Sequence, residues 1–176
     1  MTTLDREAFV VNQERFDKEG LATPGAFFFR VDAVKGTTKT YGTGPDAPSF
    51  PIIQMRLTAT RTVEANEAGE VTGEVELRNP VVRNYEEFKL SGKPARKLRT
   101  LYQAITGRPL TGINDDGNVD LLSAAEELMG GSAWNNVFHA SYQREDGTTG
   151  WKDMLTNTFK SRTPTKVRVD RPETDD

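Results

Sequence analysis

The chain contains no cysteine and a single histidine, His139. Without cysteine there is no disulfide framework and no thiolate metal site, and cytoplasm is the expected compartment. No stretch approaches the roughly 20 consecutive apolar residues of a membrane helix. The opening residues, MTTLDREAFVV, have neither the basic start nor the apolar stretch of a signal peptide, so no membrane partner is expected. Phosphate-loop chemistry is also missing. Tyr41-Gly42-Thr43-Gly44-Pro45 has two glycines but no following lysine-serine pair and no helix opening, which leaves a flexible hairpin loop.

What is present fits one globular domain. Of the 176 residues, 35% are hydrophobic and 28% charged, enough apolar sequence for a core. The net charge of −3 hides a segregation: residues 1–19 carry −2 and residues 170–176 carry −3, so the body between them is +2. A slightly basic body between acidic ends is compatible with an anionic partner, though far from polybasic.

Patterning divides the chain into an N-terminal arm or short helix (1–23), a domain (24–169) and a flexible acidic tail (170–176). Strand-like stretches are expected at Phe27–Lys35, Ile52–Val63 and Glu74–Lys89, the last interrupted by Asn79-Pro80, which predicts a bulge or a sheet edge. In the first, Phe27, Phe29, Val31 and Ala33 alternate with Phe28, Arg30 and Asp32. Lys35–Ser49 reads as a long loop. A two-helix stretch follows over Lys93–Met129. Ser91 is its expected cap and Pro94 lies in the first turn, with Leu98, Leu101, Tyr102 and Ile105 on one face. Asn118 is the expected cap of the second helix, which turns Leu121, Leu122, Ala125, Leu128 and Met129 inward. Two more strands are expected at Trp134–Glu145 and Thr149–Lys160, and Lys166–Val169 could extend the sheet. Three strands, a helical insert and two strands is the order of a five-stranded OB-like barrel, so the expected class is mainly β with an α insert between the third and fourth strands.

The sequence offers little for catalysis or metals. His139 sits mid-strand opposite the Trp134, Phe138 and Tyr142 face; acid–base catalysis there would need a positioned partner, and Ser141, two residues on, comes with no oxyanion-hole motif. The string Asn114–Asp120 has some of the acids of a calcium loop. Aligning Gly117 as loop position six, however, puts Gly112 at position one and Ser123 at twelve, both wrong for an EF-hand. Neighbouring carboxylates, Glu86-Glu87 and Glu126-Glu127, diverge on a strand or a helix. No enzyme, cofactor or metal is expected.

A binding surface remains. Single-strand recognition needs cations along a groove and aromatic faces for stacking. Phe28 and Arg30 share the predicted outward face of the first strand, and Arg56 takes that of the second. Lys39 and Tyr41 lie in the first long loop, with Lys152 on the last strand. Lys93, Arg96 and Lys97, with Arg99 and Arg108, form an acid-free run that contacts phosphates or is simply a solvated helix face, the commoner case. Trp134 and Tyr142, with Phe138, form a stripe that is either a stacking row or, more often, core.

Three pieces, LATPGAFFFRVDAVKG, KPARKLRTLYQAITG and AWNNVFHASYQREDGTTGWKDML, followed by the tail VDRPETDD, resemble in pattern and order the small phage-encoded single-stranded-DNA-binding proteins of the OB type, over about residues 21–169. The resemblance implies single-stranded DNA binding with little sequence preference, in phage DNA replication or recombination within the host cytoplasm. It also implies that the acidic tail (Asp170, Glu173, Asp175 and Asp176) recruits replication or recombination proteins. The tail departs from many such families in being short and lacking a terminal aromatic. The alternative is a non-enzymatic viral accessory or structural protein that binds another protein.

Overall fold

Phe27, Phe29 and Val31 are buried while Phe28 and Arg30 between them are not, as a strand with one face on a core requires. The computed structural model describes residues 6–110 and 119–167. In chain order they form α1 (Gln13–Glu19), β1 (Gly25–Thr40), β2 (Ser49–Ala65), β3 (Val71–Lys89), α2 (Arg96–Thr106), α3 (Leu121–Glu126), β4 (Ser132–Gln143) and β5 (Thr149–Leu155). Short 3₁₀ turns lie at Arg6–Phe9 and Lys93–Ala95. The strands make one antiparallel sheet in the order β3-β2-β1-β4-β5, curled into a half-barrel. Its two edge strands are tied by an ion pair, Arg83 Nη1 to Asp153 Oδ1 at 3.2 Å. No described helix is long and apolar enough to cross a membrane.

The core lies on the inner side of the sheet. Phe29, Val31, Met55, Leu57 and Phe88 meet Leu98, Leu101 and Tyr102 of α2, and Ala124, Ala125 and Leu128 of the α3 region. Leu98, Leu101 and Tyr102 keep the expected helical spacing. The second helix differs from its expected face: Leu122 and Met129 are exposed and Ala124 takes the core position. Leu122 instead lies against Gly36, 3.1 Å from where a Cβ would stand, so a side chain there would push the leucine tip back by a few tenths of an ångström.

Several boundaries move. The expected loop Lys35–Ser49 is largely hairpin. β1 continues to Thr40, paired Lys35↔Gln54 through Thr40↔Ser49, because Thr37, Thr38 and Thr40 are β-branched and sit readily on a pleated sheet. The turn that remains is closed by Tyr41 N–H to Pro48 O at 3.0 Å, with Gly42 and Gly44 at positive φ. A register shift between Val31 and Ala33 turns Ala33 out to solvent and half-buries Val34 against the core, contrary to simple alternation. β5 stops at Leu155, where the buried Asn135 side chain donates to Thr156 O at 3.0 Å and accepts from its hydroxyl. The chain then returns so that Lys160 exchanges backbone bonds with Trp134 at 2.7 and 2.9 Å. Near the other end, Lys166 bridges to Glu70. The interruption at Asn79-Pro80 is a bulge on an edge strand: Glu76 pairs with Arg61, and the next pair is Val81 with Ala59.

Caps also shift. Gly92, not Ser91, precedes the Lys93–Ala95 turn, and no side chain caps it. α3 is capped by Asp120, whose carboxylate accepts from Ser123 N–H at 3.1 Å and from the Ser123 hydroxyl at 2.7 Å. Asn118, most of the calcium-like string and the acidic tail lie outside the described residues. In the N-terminal arm, Asn12 caps α1. α1 is fastened to the β4–β5 hairpin by Arg144 on Asp17 at 2.8 Å and by Lys18 over the Trp151 ring at 4.0 Å.

Candidate nucleic-acid interface

The alternation that buries Phe27 and Phe29 puts Phe28 on the outer side of the sheet, away from α2 and α3. Its cross-strand partners are Arg61 on β2 and Trp134 on β4. The Arg61 guanidinium stands 5.8 Å from the Phe28 ring centre, and Trp134 packs on the ring at 5.1 Å. Arg30 and Arg56, on the same face, are exposed. Asp32 lies between them and accepts from Arg30 Nε at 2.7 Å and from the Thr58 hydroxyl. Its burial alone would raise the Asp32 pKa; the two hydrogen bonds and the charges of Arg30 and Arg56 outweigh that and hold it below the usual carboxylate range. The carboxylate thus stays charged and aims Arg30.

The outer face continues along the β1–β2 hairpin. Lys39 pairs in register with Phe50, and Ile52 with Lys89. Tyr41 packs on Phe50 at 5.6 Å, with Lys39 and Lys89 over its ring at 5.6 and 5.5 Å. Lys39 is also bound to Glu87 at 2.7 Å. That hydrogen bond is the main cause raising the Lys39 pKa above the ordinary lysine value. A third cluster sits on the β4–β5 hairpin. The phenol end of Tyr142 reaches over Gly150, directly opposite it in register, with Arg144 and Lys152 each 5.9 Å from its ring. A Cβ on Gly150 would overlap the Tyr142 ring. Gly150→Ala is therefore expected to lift the exposed Tyr142 ring and cost up to about 1 kcal/mol, the low end for an added methyl group, read as a lower urea midpoint. An unchanged midpoint would mean that the ring does not rest there.

The expected residues fare unequally. Phe28, Arg30, Arg56, Lys39 and Tyr41 come together on the outer face of β1–β2, and Tyr142 and Lys152 join the β4–β5 end of the sheet. Lys97 is corrected. It is buried at 9% exposure, bound to Glu86 at 2.5 Å and to Glu87 O at 2.9 Å, because it stands four residues before Leu101 on the edge of the core stripe of α2. Lys93 and Arg96 are exposed, but on the layer that covers the inner side, so α2 is not a wall beside Phe28. Trp134 has the outward orientation of a stacking residue, yet only 4% of it is exposed beneath Phe28, so it supports that ring rather than offering its own. Sequence reasoning missed Arg61, Phe50 and Lys89. Their signal was cross-strand pairing with Phe28, Lys39 and Ile52, which needs the register.

The inner side offers a different recess. A cavity of about 1420 Å³ opens beneath α1, lined by Phe27, Phe29, Val137, His139, Arg83 and Trp151 among others. Arg83 there is engaged by Glu86 and Asp153, and His139 Nε2 lies 2.9 Å from Ala22 O. Among the described residues no group of three or more His, Asp or Glu is placed to hold a metal ion. No protein-family model, curated protein or solved structure matches the chain.

Proposed function

We propose that this protein is a non-enzymatic, OB-like single-stranded-DNA-binding domain with little sequence preference, its two-helix insert lying between the third and fourth strands, acting in phage DNA replication or recombination. The strand order supports the barrel reading, since β1 pairs with both β2 and β4 while β3 and β5 come to the open seam, as in that fold. The observation that carries the functional reading is the outer face of β1–β2. There Phe28 with Arg61, Arg30 and Arg56 continues into Tyr41 and Phe50 with Lys39 and Lys89. Ring faces accept any base and cations follow the phosphates, which gives affinity without a sequence code. Asp32 and Glu87 preorient Arg30 and Lys39 and would yield them to phosphate. On the same reading the acidic tail would recruit replication or recombination proteins.

Fluorescence anisotropy of labelled oligo-dT tests this. Saturable binding at low salt is expected, with similar affinity for a mixed-sequence oligonucleotide and weaker binding to duplex. No binding at low salt overturns the proposal in favour of a protein-binding accessory role.

A further inference from the structure

Tyr85 is the one described non-glycine residue with positive φ, at 60°, and its side chain stands out from β3 at 69% exposure. A bulky residue pays strain in the left-handed region, and such strain persists only where its surroundings impose it. Here they do. Leu57 pairs with Arg83 and the next β2–β3 pair is Met55 with Glu86, so Asn84 and Tyr85 together oppose the single residue Arg56. Arg83 and Glu86, flanking the extra residue, both turn inward and are largely buried. They are joined at 3.0 Å, with Lys97 closing on Glu86 from α2 at 2.5 Å and Asp153 on Arg83 from β5 at 3.2 Å. With both flanks pinned inside, the residues between them loop out, and an exposed aromatic is displayed beside Arg56. Nothing in the core needs that ring, and glycine would fit the backbone better.

Resting on the DNA-binding reading above, we propose that the buried Arg83–Glu86–Lys97 network holds a bulge whose purpose is to present Tyr85 as a stacking platform for a base, so that the single strand crosses the sheet past Arg56 onto β3. Bulges that re-aim a side chain are a recurrent device at binding sites. The strain is the cost of placing an aromatic where the backbone prefers glycine.

Two variants separate display from structure. Tyr85→Gly relieves the strain, so its thermal midpoint is expected to rise by about 2–4 °C, while its affinity for oligo-dT falls roughly tenfold, the worth of one stacked base. Tyr85→Phe retains a ring and is expected to hold affinity within about twofold of the parent protein. Affinity unchanged in Tyr85→Gly, with parent and Tyr85→Phe binding normally, overturns the Tyr85 assignment and leaves the general reading standing. A parent protein that does not bind oligo-dT at low salt overturns that reading and this inference with it.

Discussion

Glu86→Ala is expected to cost about 3–5 kcal/mol of folding stability, because it removes one partner of a buried charge network and leaves the others behind. Glu86 receives Lys97 at 2.5 Å and Arg83 at 3.0 Å, all three side chains being nearly enclosed. Lys97 shows how tight the balance is: burial lowers its pKa below the ordinary lysine value, with the charge and hydrogen bond of Glu86 acting the other way. A lysine with a folded pKa below its unfolded one binds fewer protons when folded, so stability rises with pH across the interval between the two. Without Glu86 the folded value falls further and the interval widens toward neutrality. The deficit of Glu86→Ala is therefore expected to be larger at pH 7 than near pH 10. Lys97→Met is the comparison. It keeps a stem against Phe88, whose ring Lys97 covers at 4.7 Å, and leaves Glu86 with Arg83, so a loss below about 1.5 kcal/mol is expected. Urea unfolding of both variants at the two pH values checks this. Equal small losses would show that the network does not hold the bulge.

The double substitution Arg56→Glu/Arg61→Glu is expected to weaken oligo-dT binding on the order of 100-fold at low salt, about 2.7 kcal/mol, by losing two phosphate contacts and adding repulsion. Both residues are exposed, and among the described residues Arg61 pairs with Glu74 at 3.7 Å, both side chains being open to solvent. Stability should thus move by less than about 0.5 kcal/mol. The matched substitution on the other layer, Lys93→Glu/Arg96→Glu on the α2 side, is expected to weaken binding far less. Equal losses from both pairs would move the interface off the outer face.

The split between what sequence patterning reveals here and what it does not has a physical basis. Phe28, Arg30 and Arg56 were legible because a period of two separates faces wherever a strand is regular. The same rule misplaced Ala33, since the ladder shifts just before it, and it gave no sign of Tyr85, whose exposure comes from a bulge fixed by side chains on three elements. The acid-free basic run was legible as charge, but Lys97 belongs to the buried stripe of α2, as its spacing from Leu101 already implies. Trp134 divided orientation from exposure: it points outward and is covered by Phe28, a contact made only across paired strands. Helical caps were the least legible feature, with Gly92 and Asp120 in place of Ser91 and Asn118.

The central claim, that the outer face of β1–β2 carries single-stranded DNA through phosphate contacts and stacked bases, is tested most directly by the salt dependence of oligo-dT affinity. With about four phosphates neutralised, the logarithm of the association constant is expected to fall against the logarithm of salt with a slope of about −3, and the Arg56→Glu/Arg61→Glu protein to show a slope shallower by about 1 or more. A slope near zero, or the same slope in both proteins, would contradict the account.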